Sequence, residues 1–443
     1  MTIYALSSGP GISGIAVIRV SGAKTKEVIS SLTNSSVPKA RVATLKKIIN
    51  PENGELIDEG LLILFKAPNS YTGEDMAELH VHGSKAVVHE ILNVLERFNG
   101  CRLAEPGEFT KIAFQNNKIN LLKAESIGDL IAAETELQRK QALRIMTGDS
   151  SKKFNFWREE LIRILSYIEA KIDFPDEDLP EKLSENIKAK CIEIKNQIEA
   201  TLEDNKTGEI IREGFKIAII GPPNVGKSSL LNYLSKREVA IVSEKAGTTR
   251  DVIETYLDLE GIPVVISDTA GIRDANDEIE SKGVKLAINR AEDADLIIIL
   301  LEPKMLDFKG FFKGKMSEKS IIAINKSDLG TENLKSFNFE MTPHIISIKE
   351  DKNVDQLLEA IKSKLKNQFL KTDNVLITRS RHRLHLKECY KHLEDFLEKK
   401  DNKEFDLAAE DLRLSIRHLG TIVGKVDVEE ILGSIFENFC IGK

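Results

Sequence analysis

At 443 residues, with 30% charged residues, 41% hydrophobic residues and a net charge of -7, the chain has the composition of a globular protein of several domains. That balance argues against a uniformly basic nucleic-acid binder, so any RNA contact must be local or shared with a partner. Cys101, Cys191, Cys389 and Cys440 show neither zinc-type pairs nor a disulfide framework, and there is no leader-like start or membrane-length apolar run, which predicts a soluble, cytoplasmic protein with reduced thiols and no membrane partner.

Residues 1–117 alternate short apolar runs, IAVIRV, LLILF and MAELHV, with turns, and add one helical stretch, KAVVHEILNVLERF, which predicts a small α+β domain. Over 118–210 the period becomes helical in LLKAESIGDLIAAETELQRKQALRIM and FWREELIRILSYIEAKI, with a break at DFPDEDLP. Between 211 and 371 come buried-type strands, FKIAII, VVISD, DLIIILL, SIIAIN and HIISI, spaced by amphipathic helices as a parallel α/β sheet requires. Residues 372–443 return to helix. The simplest architecture is multidomain: an α+β N-terminal domain, then an all-α helical domain made discontinuous by an inserted α/β unit.

The strand FKIAII runs into Gly221-Pro-Pro-Asn-Val-Gly-Lys-Ser228, which matches the phosphate-loop pattern in the strand, loop and helix setting that it needs. Its glycines let backbone N–H groups face phosphate oxygens, Lys227 reaches the β and γ phosphates, and Ser228 offers a hydroxyl to magnesium. Asn224, Val225, Gly226 and Ser229 complete the nucleotide-contacting stretch. Asp268-Thr269-Ala270-Gly271 supplies a carboxylate that can hold magnesium through water and a glycine N–H for the γ phosphate. In Asn325-Lys326-Ser327-Asp328 the terminal carboxylate can accept from guanine N1–H and N2–H, a donor pair that adenine lacks, so GTP is expected over ATP. Gly247-Thr-Thr-Arg-Asp251 lies where a first switch belongs, with Thr249 as a second hydroxyl ligand of magnesium. Directly after DTAG stands Ile272, so the water-orienting glutamine of Ras-like enzymes is missing. The acids of RDANDEIE, between Asp274 and Glu280, offer carboxylates for that task, and their chemistry alone does not choose among them.

The chain ends on Phe439-Cys440-Ile441-Gly442-Lys443. A prenylation box puts its cysteine in this place but wants aliphatic middle positions and a different last residue, so lipidation is a poor reading. Glu78, His80 and His82 alternate along a strand and share a face, as metal ligands would, although a polar strand face is the simpler reading.

Together, GPPNVGKSSLLN, GTTRD, DTAGIRDANDEIE and NKSD, with IDFPDE, PGEFT, YTGED and the closing FCIGK, resemble the tRNA modification GTPase family MnmE (TrmE), one of the TrmE-Era-EngA-like GTPases, along essentially the whole chain. Other GTPases share the first group of motifs and not the second. The resemblance implies a folate-binding N-terminal domain at 1–117 that forms a homodimer, a helical domain at 118–210 and 372–443, and a Ras-like P-loop GTPase domain at 211–371. It implies work with the flavoprotein MnmG (GidA), in a heterotetramer, on wobble uridine 34 (U34) of certain tRNAs. Aminomethyl or carboxymethylaminomethyl is added at carbon 5, with a one-carbon unit from 5,10-methylenetetrahydrofolate or 5-formyltetrahydrofolate.

The same resemblance assigns catalysis to Glu280 alongside Lys227, a potassium ion (K+) to Asn224, Ser243, Lys245 and Thr248 beside the GTP and Mg2+ site, and folate to Arg19, Glu78, Lys118 and Lys443. Cationic side chains suit folate carboxylates, and a carboxylate suits the pterin donors. His80, Val81 and Ser84 depart from the family pattern. Cys440 is expected near the one-carbon group, where a thiol can attack an activated methylene or iminium carbon. Arg379, Arg383 and Lys387, four apart in RSRHRLHLK, read either as a solvated basic face or as a stripe contacting tRNA. A ribosome-assembly GTPase switch is the competing expectation. Such switches usually append an RNA module, and the C-terminal helices carry no K-homology GXXG loop.

Overall fold

The computed structural model describes residues 1–173, 181–237, 239–241, 254–268, 292–304, 319–331, 334, 341–369, 375–399, 405–426, 432, 435–436, 439 and 441–442. In chain order the N-terminal elements are β1 (Thr2–Leu6), β2 (Ser13–Ser21), α1 (Thr25–Thr33), β3 (Thr44–Ile49), β4 (Leu56–Phe65), β5 (Met76–Gly83), α2 (Lys85–Glu96), β6 (Cys101–Leu103) and α3 (Glu108–Gln115). Five helices follow: α4 (Leu121–Ile131), α5 (Glu136–Met146), α6 (Asp149–Asp173), α7 (Glu181–Leu202) and α8 (Thr207–Glu213). Then come β7 (Phe215–Ile220), α9 (Lys227–Arg237), β8 (Val239–Ile241), β9 (Glu254–Leu259), β10 (Ile262–Asp268), β11 (Leu296–Leu301), β12 (Ser320–Ile324) and β13 (His344–Ile345). The last described helices are α10 (Val354–Phe369), α11 (Ser380–Glu398) and α12 (Phe405–Val423). None of the described helices is long and apolar enough to cross a membrane. The chain forms two compact units, one of Met1–Gly128, Ile145–Glu177 and Asp401–Lys443, the other of Asp129–Arg144 and Asp178–Lys400.

In the first unit six strands form a sheet in the order β3-β4-β5-β2-β1-β6, antiparallel except where β1 lies beside β6. The period-two pattern sends Ala16, Ile18 and Val20 of β2 and Ala77, Leu79 and Val81 of β5 into one core, against Val28, Ile29 and Leu32 of α1 and Ile91, Val94 and Leu95 of α2. Burying each of the larger side chains contributes about 1.5–3 kcal/mol. The alternate positions face the other way, and there Arg19 and Glu78 stand directly opposite each other in the register of β2 and β5. Ser84 caps α2, its Oγ accepting the Val87 N–H, which gives that departure from the family pattern a local cause. Helices α6 and α12 pack together. Phe154, Trp157, Leu161, Ile164 and Ile168 form the apolar seam of α6 at spacings of three and four, and Leu412, Ile416 and Leu419 are buried on α12.

The helical run over 121–146 forms two helices. Thr135 and Gln138 interrupt it: the Gln138 Oε1 accepts the Glu134 and Thr135 N–H groups, and the Thr135 Oγ1 accepts the Gln138 N–H. This reciprocal box starts a new helix at Glu136.

In the second unit seven strands run in the order β13-β12-β11-β7-β10-β9-β8. The five read from the sequence are parallel, and β9 and β8 add an antiparallel edge. Strand β7 is buried on both faces, as its unbroken apolar run requires. Ile217 and Ile219 meet Leu230 and Leu234 of α9 and Leu357 and Ile361 of α10, while Ala218 and Ile220 meet Ile297, Ile299 and Ile322.

Helix α11 packs on α7. Arg383, 7% exposed, donates to Glu209 Oε2 (2.7 Å), Asp204 Oδ1 (2.6 Å) and the Leu202 carbonyl (2.8 Å). Arg379 and Arg212 both donate to Asp129 Oδ1, at 2.7 and 3.0 Å. Two of the three cations of the expected basic stripe are therefore structural ion-pair partners, and only Lys387 is exposed. Only Arg383 and Lys387 lie within α11, since Arg379 is its extended N-cap residue, and the two arginines meet acids of α4, of α8 and of the turn before α8.

Candidate functional sites

The loops after β7 and β12 converge at the carboxyl ends of two parallel strands that flank β11, where open α/β sheets bind ligands. Gly221 has φ +157°, and a Cβ there would fall 2.0 Å from the Leu300 carbonyl oxygen. Gly226, at φ +101°, would put a Cβ 2.5 Å from Nδ2 of Asn325. Between them Asn224 adopts the left-handed conformation, φ +61°, that asparagine tolerates. The result is a cradle lined by backbone, which is the form that phosphate oxygens need. The Lys227 Nζ lies along it, donating to the carbonyls of Gly221 and Pro222 at 2.9 and 2.8 Å, and Ser228 and Ser229 follow in the first turn of α9.

Asn325, 4% exposed, ties this cradle to its neighbours. Its Nδ2 donates to the Val225 carbonyl at 2.8 Å, and its Oδ1 accepts the Ile348 N–H at 3.1 Å. Asp328 is half-buried and aimed by the buried Ser347, whose Oγ donates to Asp328 Oδ1 at 2.7 Å. That hydroxyl is the main reason the Asp328 carboxyl is held below the usual carboxylate range. Lys326 pairs with Glu302 at 2.7 Å. The structure thus brings Asn224 to Ser229, Asn325 to Asp328 and Ser347 to Lys349 into one neighbourhood. Asp268 ends β10 beside Ile219 of β7. Ser243, Lys245, Thr248, Thr249, Thr269, Ala270, Gly271 and Glu280 lie outside the described residues.

A second cluster occupies the first unit. The Arg19 guanidinium donates through Nε (3.2 Å) and NH2 (2.8 Å) to Glu78 Oε1, so these two neutralise each other. It also lies 5.5 Å from the ring centroids of Tyr71 and Phe109, a cation-π pair of contacts. Burial pushes the Tyr71 phenol up, and its OH hydrogen-bonds Thr110 Oγ1 at 2.8 Å. Tyr71 and Phe109 were not singled out from the sequence, yet they belong to the strings YTGED and PGEFT, which carried the signal. Lys118 donates to the Pro68 carbonyl at 2.8 Å, and its stem meets the turn at Gly73, so it borders the loop bearing Tyr71 rather than touching Arg19.

Glu78, His80 and His82 do not form a three-ligand group, although the His80 Nε2 lies 3.5 Å from Glu78 Oε2. Glu78 is taken by Arg19, and the His82 Nδ1 lies 2.8 Å from Asp58 Oδ1. The chain's end reaches the same cluster: the Gly442 carbonyl accepts from Ser7 Oγ at 2.8 Å and from the Arg19 NH1 at 3.4 Å. Cys440 and Lys443 lie outside the described residues.

Two family models match this chain, one described as the MnmE helical domain over residues 121–440 and one as the GTP-binding protein TrmE N-terminus over residues 2–118. Among curated relatives, proteins named tRNA modification GTPase MnmE are similar over full length. The one from Pelagibacter ubique is 61% identical with both chains covered completely. Those from Rickettsia bellii and Rickettsia prowazekii are 48% and 46% identical, again with all of each chain covered.

Proposed function

Because the chain belongs to the MnmE family of tRNA modification GTPases, we propose that it hydrolyses GTP in the cytoplasm as part of an enzyme that modifies U34 of tRNA. The observation that carries this reading is the full-length similarity, 61% over 443 residues, to a protein of that name. The proposed division is 1–117 for folate and dimerisation, 118–210 with 372–443 for the helical domain, and 211–371 for the G domain. The partners are a second copy, the flavoprotein MnmG and tRNA. Leu45 and Leu61, paired across β3 and β4 and 61% and 43% exposed, supply an apolar strand face suited to a second copy.

In this mechanism the backbone between Gly221 and Ser228 and the Lys227 ammonium hold the phosphates of GTP. A loop that only glycine allows to approach Leu300 and Asn325 so closely, with the Lys227 ammonium along it, suits them. Asp328, aimed by Ser347, accepts the guanine donors, and Asn325 keeps the base-reading loop on the phosphate loop. Ser228 and Thr249 would hold magnesium, with Asp268 acting through water. Asn224, Ser243, Lys245 and Thr248 would hold potassium, and the two cations supply charge that offsets the developing phosphate charge. Glu280 orients the attacking water in place of the missing glutamine. In the first unit the Arg19 and Glu78 pair, with Lys118 and Lys443, would seat a reduced folate, 5,10-methylenetetrahydrofolate or 5-formyltetrahydrofolate, which supplies the one-carbon unit. Tyr71, half-buried beside Arg19, gives a flat wall for such a ring system, while the fully buried Phe109 backs the Arg19 guanidinium from the core.

The test is hydrolysis by purified protein. Turnover should require GTP rather than ATP, fall when sodium replaces potassium, and fall in Glu280→Ala with GTP still bound. Equal use of ATP, or full turnover in Glu280→Ala, contradicts the assignment.

A further inference from the structure

Helix α9 starts at the phosphate loop, and its later turns reach the loop that aims Asp328. Leu230, Leu231 and Leu234 of α9 face the core, and Tyr233 lies at the rim of that stripe, half-buried against the same cluster. A tyrosine so placed needs a partner for its polar tip, and its hydroxyl donates to the Asp351 carboxylate. Burial first, and then Asp351, push the Tyr233 phenol up, so it remains a donor at neutral pH. One turn further on, Arg237 lies 5.4 Å from the Tyr233 ring centroid and pairs with Asp355 in the first turn of α10. The segment that carries Asp351 is closed on itself. Ser347 and Lys352 exchange both backbone hydrogen bonds, at 3.0 and 2.9 Å, and the Ser347 Oγ accepts the Glu350 N–H at 3.3 Å. Asp351 and Asn353 take the left-handed conformation, φ +51° and +58°, which these two residue types tolerate, and the Asn353 Nδ2 donates to the Ile345 carbonyl at 3.1 Å. A displacement of Asp351 is therefore carried to Ser347, the hydroxyl that aims Asp328.

We propose that Tyr233 and Asp351 form a clamp between α9 and the loop at 347–353, and that Tyr233 is thereby a positioning residue for guanine that sets how long a nucleotide stays bound. This inference rests on the function proposed above and names a control on its nucleotide site. The helix that follows the phosphate loop and the loop that serves the base become one frame, so a bound nucleotide is held at both ends by parts that move together. The clamp is separate from Asn325, which reaches the same loop from the end of β12 through the Ile348 N–H. Arg237 and Asp355 are both well exposed, and a screened surface pair contributes little, so the phenol carries the clamp.

The experiment uses the full-length protein and follows release of fluorescently labelled GDP, and of the inosine analogue that lacks the guanine 2-amino group, after a chase with unlabelled nucleotide. Tyr233→Phe keeps the ring and its packing but loses the hydroxyl, and it should speed GDP release about fivefold, the weight of one hydrogen bond at a partly exposed site. Asp351→Ala should do the same, the double variant should add nothing further, and Asp351→Asn, which keeps an acceptor, should resemble the parent. Arg237→Ala should change release by less than about twofold. The preference for GDP over the inosine analogue should narrow in Tyr233→Phe, because a loosened loop no longer aims Asp328 at the 2-amino group. In steady state the KM for GTP should rise with kcat not lowered. Unchanged release in both Tyr233→Phe and Asp351→Ala overturns the clamp. Faster release with the GDP preference intact overturns the positioning role. If the parent protein binds no guanine nucleotide, the proposed function fails, while amide exchange of residues 345–353 without nucleotide, which should be faster in Tyr233→Phe, still decides the clamp.

Discussion

Replacing Asn325 tests the organisation of the nucleotide site, because that residue is placed as a brace. Asn325→Ala removes two neutral hydrogen bonds worth about 1 kcal/mol each and strands the Val225 carbonyl and the Ile348 N–H, for a combined loss of about 2–4 kcal/mol. Val225 is fully buried, so water cannot take over on that side. Asn325→Asp is a sharper probe: it keeps the acceptor for Ile348 but sets a carboxylate oxygen against the Val225 carbonyl, so it should do no better than alanine. Amide exchange in peptides spanning 215–230 and 320–331, without nucleotide, should accelerate roughly 30- to 1000-fold where it reports local opening of the site. Affinity for a non-hydrolysable GTP analogue should fall in parallel. Unchanged exchange together with a large loss of affinity would refute the brace and make Asn325 a ligand of the nucleotide instead.

Gly226→Ala must relieve both a left-handed φ and a 2.5 Å approach to Asn325, so it should destabilise the second unit by about 1–3 kcal/mol and abolish GTP binding, read by calorimetry with and without nucleotide. Arg383→Met leaves Asp204 and Glu209 without their shared cation and should cost about 3–5 kcal/mol of stability while leaving the salt dependence of tRNA binding unchanged. Unchanged stability with weaker tRNA binding would restore the RNA-stripe reading. In acid, burial alone would raise the Glu108 carboxyl, but the Arg102 guanidinium and the Glu105 N–H outweigh it and hold it below its ordinary 4.5. A depressed folded pKa contributes stability that is fully present above pH 4.5 and lost as pH falls through the lower folded value. Glu108→Gln should therefore flatten the acid limb of unfolding followed by Trp157, the single tryptophan, which is buried in the first unit.

Much of this was legible along the chain. Strands β7, β10, β11 and β12 announce themselves because strands buried on both faces are written as apolar runs, and the edge strand β13 is found through the apolar run HIISI although Ile345 is exposed. Strand β9 does not, since Leu257 and Leu259 alternate with half-buried Asp258 and match an edge strand or a loop equally well. The break between α4 and α5 carried a local signal in Thr135 and Gln138, hidden by the helical period on both sides. In the nucleotide site the residue types and spacing foretold the neighbourhood, because a phosphate cradle is built from one contiguous loop. The Arg19 cluster could not be read that way. Its parts come from β2, β5, the Tyr71 loop, α3 and the last turn of the chain, and only the fold brings Ser7 to Gly442. Arg379 and Arg383 show the reverse failure: a spacing of four suggested one helical face, but Arg379 stands in extended backbone ahead of α11 and the spacing gave no hint of the acids that meet both arginines.

The most direct test of the central claim is mass spectrometry of wobble nucleosides from cells in which this gene is deleted and then restored. The account predicts that aminomethyl or carboxymethylaminomethyl at carbon 5 of the wobble uridine disappears on deletion, returns with the intact gene, and does not return with Lys227→Ala. Normal modification in the deletion strain would contradict it.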